Sequence, residues 1–245
     1  MSEIFDPETV ALLAELSTSG TDTRVWTELW NDLYHQYDSD VACAALPELA
    51  AIANAGTSHD RFEAVSLAGA LLAAADPYTA EIRERYVDDI AALHTEALSE
   101  LAESSPEEDH EPDTFLYRVQ AMLAFEDPTA WSLKLAELLE EQLEIECPIC
   151  WAAMTIHLGG PGFFTCTSGF PLDTVTKRPV VAADPDQMTG LGDRLYRTAV
   201  TGRQRVIARQ LTFLFGRATC TEGGHEFIPA AAVEKAMWSS SILES

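Results

Sequence analysis

Val41-Ala42-Cys43-Ala44-Ala45-Leu46-Pro47-Glu48-Leu49-Ala50-Ala51-Ile52-Ala53-Asn54-Ala55, the turn Gly56-Thr57-Ser58, and His59-Asp60-Arg61-Phe62-Glu63-Ala64-Val65-Ser66-Leu67-Ala68-Gly69-Ala70-Leu71-Leu72 form the stretch whose reading decides the fold. Asp40 is placed to cap a helix whose apolar positions are Val41, Ala44, Leu46, Leu49, Ala50 and Ile52. Pro47 removes a backbone hydrogen bond inside that run, so a kinked helix is expected. The small side chains of the second run let a neighbouring helix approach closely. Residues 41–75 therefore read as two packed antiparallel helices, one hairpin repeat.

The same reading extends in both directions. Asp6 before Pro7 marks the start of a helix to about Leu16, a cap followed by proline at the first helical position. Trp26, Leu29, Trp30 and Leu33 fall on one face of a helix from about Thr23 to Gln36. His35, near its end, is placed to meet the last carbonyls. Ala70 to Pro77 is echoed at Ala121 to Pro128, with a long helix from Tyr78 to Glu103 and an acidic loop, Ser104 to Asp113, between the copies. Trp131, Leu135, Leu138, Leu139 and Leu143 suggest a last helix that turns Glu137, Glu140, Glu141 and Glu144 to water. The fold class expected is mainly α, an α-solenoid of stacked hairpins over residues 1–146, with a small α+β module over 147–245.

Residues 41–75, with the proline-containing helix Ala44-Ala45-Leu46-Pro47-Glu48-Leu49, a short turn and an Ala-rich second helix, resemble a HEAT repeat. Trp26-Thr27-Glu28-Leu29-Trp30 and Leu33-Tyr34-His35-Gln36 are similar to a segment of bacterial, largely actinobacterial, HEAT-repeat proteins. The resemblance implies a HEAT-like α-α superhelix.

After Cys150 the pattern changes. Met154, Ile156 and Leu158 alternate with polar or small residues as in a half-buried strand, and Gly159-Gly160-Pro161-Gly162 supplies a turn into Phe163-Phe164-Thr165-Cys166. Pro171 to Pro185 reads as irregular, with a short strand at Val180-Val181. A long helix is expected from Gln187 to Phe215. Arg194, Arg197, Arg203, Arg205, Arg209 and Arg217, along it and just beyond, are candidates to pair with the acidic half.

Cys147-Pro148-Ile149-Cys150 is the main chemical motif. Two thiolates from one tight turn suit tetrahedral zinc, and in a chain with five cysteines a CxxC points to metal or redox chemistry before a disulfide scaffold. Cys220-Thr221-Glu222-Gly223-Gly224-His225 can supply a second pair. The C-terminal half resembles the zinc-ribbon-like tail of these HEAT-repeat proteins, a pattern that puts a cysteine where this chain has Gly223. Either His225 substitutes, giving zinc on Cys147, Cys150, Cys220 and His225, or the site has decayed to buried thiols. Cys166 is an alternative ligand, and Cys43, in an apolar run, reads as core. A redox role is disfavoured because a strand, not a helix N-terminus, follows the motif.

Other motifs carry little. Glu107-Glu108-Asp109-His110 sits in a Pro-flanked loop without the helical register of a di-metal site. His59 and His94 lie on helices without an obvious acidic partner, and His157 lies on a strand. Gly190-Leu191-Gly192-Asp193 and Gly159 to Gly162 lack the context of nucleotide loops, and neither GxSxG nor HExxH occurs.

Charge is uneven. Residues 1–146 hold 32 acids and 6 bases, while the rest is close to neutral, for a net −25. That surface disfavours nucleic acid and attracts a basic protein. An acidic start at Met1-Ser2-Glu3 and apolar runs too short for a bilayer lead to the expectation of a cytoplasmic protein that binds no membrane. Solubility alone also accounts for the acid surplus. The function expected is a non-enzymatic protein–protein interaction adaptor, in narrower form an immunity or inhibitor protein that blocks a basic toxin. The alternative is a zinc-dependent enzyme using the CxxC region with an open coordination position.

Overall fold

Asp6 starts the first helix. Its Oδ1 accepts from the amides of Glu8 and Thr9, both at 2.9 Å, and its Oδ2 accepts from the Tyr37 hydroxyl at 3.0 Å. These contacts open α1 (Pro7–Ser19). The computed structural model describes residues 4–19, 23–75, 79–102, 111–127, 129–169 and 171–235. Met1-Ser2-Glu3, the Asp76-Pro77 and Pro128 ends of the internal echo, and His110 with Glu107, Glu108 and Asp109 lie outside the described residues. The chain is mainly helical with a small antiparallel sheet region, and it divides into two units, Met1–Leu135 and Ala136–Ser245.

In the first unit, α2 (Thr23–Trp30) runs into a π-helical turn, Asn31–Gln36. Trp26, Leu29 and Leu33 are buried, as their spacing predicts. The Trp26 indole donates to Asp60 Oδ1 at 3.0 Å and that of Trp30 to Glu63 Oε2 at 2.9 Å, so both polar handles of this Trp-rich helix are satisfied. His35 meets the Tyr34 ring edge-on. Next come α3 (Ser39–Ala42), a 3-10 turn at Cys43–Ala45 and α4 (Leu46–Ala55). The expected kinked helix is thus broken ahead of Pro47, which sits in the first turn of α4, where a missing N–H costs nothing. Burial pushes the Cys43 thiol up to about 12, with Asp40 adding to the shift, as for a small core residue.

Gly56 and Thr57 connect α4 to α5 (Ser58–Ala74), which opens on a capping box of Thr57 and Asp60. Then follow α6 (Thr79–Arg85), α7 (Val87–Ala102), α8 (Pro112–Glu126) and α9 (Ala130–Lys134). The helix expected from Tyr78 to Glu103 is two helices meeting at Tyr86. Arg83 donates to the carbonyls of Ala124, Phe125 and Glu126, closing the C-terminal end of α8 where carbonyls are left without helical partners. At the crossing of α5 and α8, a Cβ on Gly69 would stand 2.6 Å from Ala121 Cα.

The second unit corrects three expectations. The helix through Trp131 and Leu143 ends early: α9 gives way to a 3-10 segment, Leu135–Glu140, and Gln142–Glu146 is strand β1. Leu143 and Ile145 point inward between exposed Gln142, Glu144 and Glu146, a period of two that belongs to a strand. Glu141, at φ 54°, makes the break, and its carboxylate accepts from the Gly160 amide instead of facing water. β1 pairs antiparallel with β2 (Ala153–Gly159), β2 with β3 (Gly162–Thr167) and β3 with β4 (Arg178–Pro179). Met154, Ile156 and Leu158 are fully buried. Val181 forms a bridge with Arg217 rather than a longer strand.

The long helix expected from Gln187 to Phe215 is a 3-10 turn at Pro185–Gln187 and two packed helices, α10 (Gly190–Thr201) and α11 (Arg205–Leu214). Gly202 caps α10 and Arg203, at φ 58°, turns the chain. Arg197 pairs with Asp193 on its own helix, and Arg209 lies 4.7 Å above the Phe163 ring. β5 (Ala218–Thr219) and β6 (Glu226–Phe227) form a second, two-stranded sheet. Among the described residues, no helix is long and apolar enough to cross a membrane.

Two measurements check this account. Gly69→Ala should lower stability by about 1–3 kcal/mol through overpacking against the α8 backbone. Helix propensity alone would raise it by about 1 kcal/mol, so the sign of the change in thermal denaturation decides. The amide of Thr9 and the hydroxyl of Tyr37 hold the Asp6 carboxyl below its ordinary value of 3.8. Its stabilisation is therefore present above pH 3.8 and is lost as pH falls through the lower folded-state value. Asp6→Asn should flatten the acid limb of a melting-temperature profile, and an unaltered limb would contradict this.

Candidate metal centre

Two six-residue loops, 147–152 between β1 and β2 and 220–225 between β5 and β6, share one backbone plan. In each, the first amide donates to the sixth carbonyl: Cys147 to Ala152 at 2.9 Å and Cys220 to His225 at 2.8 Å. In each, the fifth amide donates to the first carbonyl: Trp151 to Cys147 at 2.9 Å and Gly224 to Cys220 at 3.1 Å. The fifth residue is left-handed in both, with φ 64° at Trp151 and 67° at Gly224. Glycine meets that requirement freely, whereas tryptophan carries strain there. The Gly223 amide turns back onto Cys220 Sγ at 3.3 Å, and the Cys150 amide does the same for Cys147. Position by position, Cys147 corresponds to Cys220, Cys150 to Gly223 and Ala152 to His225.

The β2–β3 hairpin and the 220–225 loop are tied together by Thr165, whose hydroxyl donates to the Thr219 carbonyl at 2.8 Å, and by the Thr167 and Thr221 hydroxyls at 3.3 Å. The sulfurs of Cys147, Cys150 and Cys220 all lie within 4.8 Å of one another. Cys147 and Cys220 are buried, and Cys150 is exposed. Cys150 Sγ and Cys220 Sγ are 3.6 Å apart. Tetrahedral zinc with Zn–S bonds of about 2.3 Å has ligand edges of about 3.8 Å.

The fourth expected ligand is nearby but differently placed. His225 does not join the three sulfurs within that 4.8 Å limit. Its imidazole instead folds over the bare Cα of Gly223: a Cβ at 223 would stand 2.6 Å from His225 Nε2 and 3.3 Å from Cys150 Sγ. The ring nitrogen thus reaches the space that the side chain of a cysteine at 223 would enter. Cys166, the alternative ligand, is buried on β3 opposite Thr155, outside the cluster, and burial pushes its thiol up against a smaller pull from Lys177.

Electrostatics distinguish Cys147 from Cys150. Burial alone raises Cys147, but the amides of Cys150 and Ile149 and the thiols of Cys150 and Cys220 together hold it below the usual range. At Cys150 the Ala152 amide pulls down, and it is outweighed by hydrogen bonding with Cys147 and Cys220, partial burial and the charge of Cys147. The group presents three soft sulfur donors, one of them with its pKa lowered, and could hold a metal ion.

The other described histidines lie elsewhere. His94 has an acid that the sequence did not reveal, Glu126 at 3.4 Å. His157 is buried and stacked on Phe164 at 4.7 Å, and burial, aided by Lys177, lowers its pKa. The sequence placed Gly223 opposite the second cysteine of the motif but did not reveal the shared left-handed fifth position, because only Cys147 and Cys220 are identical in type. The signal available was Gly223-Gly224, which places a glycine at the left-handed fifth position. Comparison with protein-family models, curated proteins and solved structures returned no match for this chain.

The geometry at Gly223, whose φ is ordinary, gives a direct test of His225. Gly223→Ala should expel the imidazole and weaken metal binding about 10–100-fold in chelator competition. Gly223→Cys, which supplies a fourth thiol, should restore it. Equal affinity in Gly223→Ala and the parent would exclude His225 as a ligand.

Proposed function

We propose that the protein is a non-enzymatic, cytoplasmic interaction adaptor with a HEAT-like helical unit and a C-terminal module stiffened by structural zinc on Cys147, Cys150, Cys220 and His225. The observation that carries this reading is the matched pair of loops, which brings three thiols from opposite ends of the module to one point. Strands of two residues such as β5 and β6 bury little by themselves, and a closed metal shell would supply their missing cohesion. Bound zinc needs four donors, and the imidazole over Gly223 is the near candidate for the fourth, reached by a side-chain rotation. A zinc enzyme would instead keep that position open for water, and an imidazole so close favours closure.

The acid surplus of residues 1–146 supports a basic protein as the partner, in the narrower form an immunity or inhibitor protein that captures a basic toxin. Glu141, engaged by Gly160, belongs to the fold and not to such a face.

Elemental analysis of protein purified without chelator should find about one zinc per chain, lost in Cys150→Ser. X-ray absorption should show three sulfurs and one nitrogen. A coordinated water in place of the nitrogen would favour the enzyme. Affinity capture should retain a basic protein at low salt and release it as the Debye length shrinks below about 10 Å. Salt-independent retention would argue against electrostatic docking.

A further inference from the structure

Cys150 stands apart from the other cysteines of the chain. Cys43, Cys147, Cys166 and Cys220 are all buried, while Cys150 is exposed at the tip of its loop. It is also in van der Waals contact with a second sulfur, Cys220 Sγ at 3.6 Å, contributed by the other loop. Closing that gap to a disulfide bond of about 2.05 Å brings the sulfurs about 1.5 Å closer together. Cys147 also hydrogen-bonds with both of these thiols, but it is buried and its sulfur is in addition taken up by the amides of Ile149 and Cys150 in its own turn.

We infer that Cys150 and Cys220 form a peroxide-responsive pair whose oxidation to a disulfide opens the metal centre. This rests on the reading of a zinc site given above. The Cys150 thiolate attacks a hydroperoxide; the O–O bond breaks, an S–O bond forms, sulfur is oxidised to the sulfenic acid and the peroxide leaves as an alkoxide, or hydroxide from hydrogen peroxide, that takes a proton. The Cys220 thiolate then attacks the Cys150 sulfur, the S–S bond forms, and the hydroxide displaced leaves as water with a second proton. The net change is two thiolates, one hydroperoxide and two protons to one disulfide, one alcohol and one water, the alcohol being water when hydrogen peroxide is the oxidant.

Two of the four donors are consumed, so Cys147 and His225 are left as an insufficient pair. The loops remain tied, now covalently, and the module stays closed without metal. What shifts is the tip of the first loop, where Ile149 and Trp151 flank Cys150 and are 55% and 53% exposed. Lys235 holds that tip from outside, its ammonium donating to the Pro148 carbonyl at 2.6 Å and lying 4.5 Å over the Trp151 ring. Oxidation thereby acts on an exposed apolar surface of the kind that partners recognise.

The test uses the intact protein, titrated with hydrogen peroxide, with released zinc read by a chromogenic chelator and disulfides mapped by mass spectrometry of a non-reduced digest. The expected result is one zinc released per Cys150–Cys220 disulfide, with Cys43 and Cys166 still reduced, and recovery of the metal after dithiol reduction and added zinc. Retained zinc at peroxide doses that oxidise Cys150, or release accompanied by a Cys147–Cys150 disulfide, overturns the inference while leaving the zinc reading intact. Protein that neither carries nor takes up zinc removes that reading; in it, a Cys150–Cys220 disulfide still supports the pairing, and its absence overturns that too.

Discussion

Chain reversal within six residues, with the fifth residue forced into the left-handed region, is the constraint on which the C-terminal unit depends. It occurs at 147–152 and at 220–225, and each time it turns the first side chain inward and folds amides back over it. In the first loop the cost is carried by Trp151, a bulky residue at φ 64° that leaves more than half its surface exposed. Such a conformation persists only where its surroundings over-determine it. Here the β1–β2 ladder fixes one side of the turn, and Lys235 on Pro148 and Trp151 fixes the other.

Around those loops the unit is assembled from short pieces. Leu143 and Ile145 of β1, Met154, Ile156 and Leu158 of β2 and Thr165 of β3 provide a buried sheet face. Stacking of Phe213 on Phe163 at 3.8 Å and a hydrogen bond from buried Gln210 to the Leu138 carbonyl anchor α11. The thiol group thus sits in a unit with a modest core of its own, the situation in which a metal contributes most to stability.

The helical unit follows a different logic. Its helices approach closely where side chains are small, as at Gly69 and Ala121, and some of its polar groups are paired across helices, as in Trp26 with Asp60 and Arg83 with the end of α8. Buried Glu100 carries a cost in that arrangement: burial raises its carboxyl more than Arg118, 3.4 Å away, and Arg61 lower it.

Sequence periodicity determined the amphipathic faces. Trp26, Leu29 and Leu33 at helical spacing, and Met154, Ile156 and Leu158 at alternation, are buried because side-chain direction follows directly from backbone period. Local chemistry determined the Asp6 cap, the turn after Gly159 and the two candidate loops, since each is satisfied within a few residues. It failed at 142–146, where Leu139 and Leu143 also match a helical stripe and only pairing with β2 selects the strand. It failed again at 202–204, where Gly202 is a local stop signal in an arginine-rich run and packing of α10 on α11 completes the turn. The convergence of Cys147, Cys150 and Cys220 was expected from the two motifs, but their spacing within the cluster and the seat of the His225 imidazole over Gly223 were not. Contacts between residues some seventy positions apart are set by how sheets pack, and that is decided by the whole chain at once.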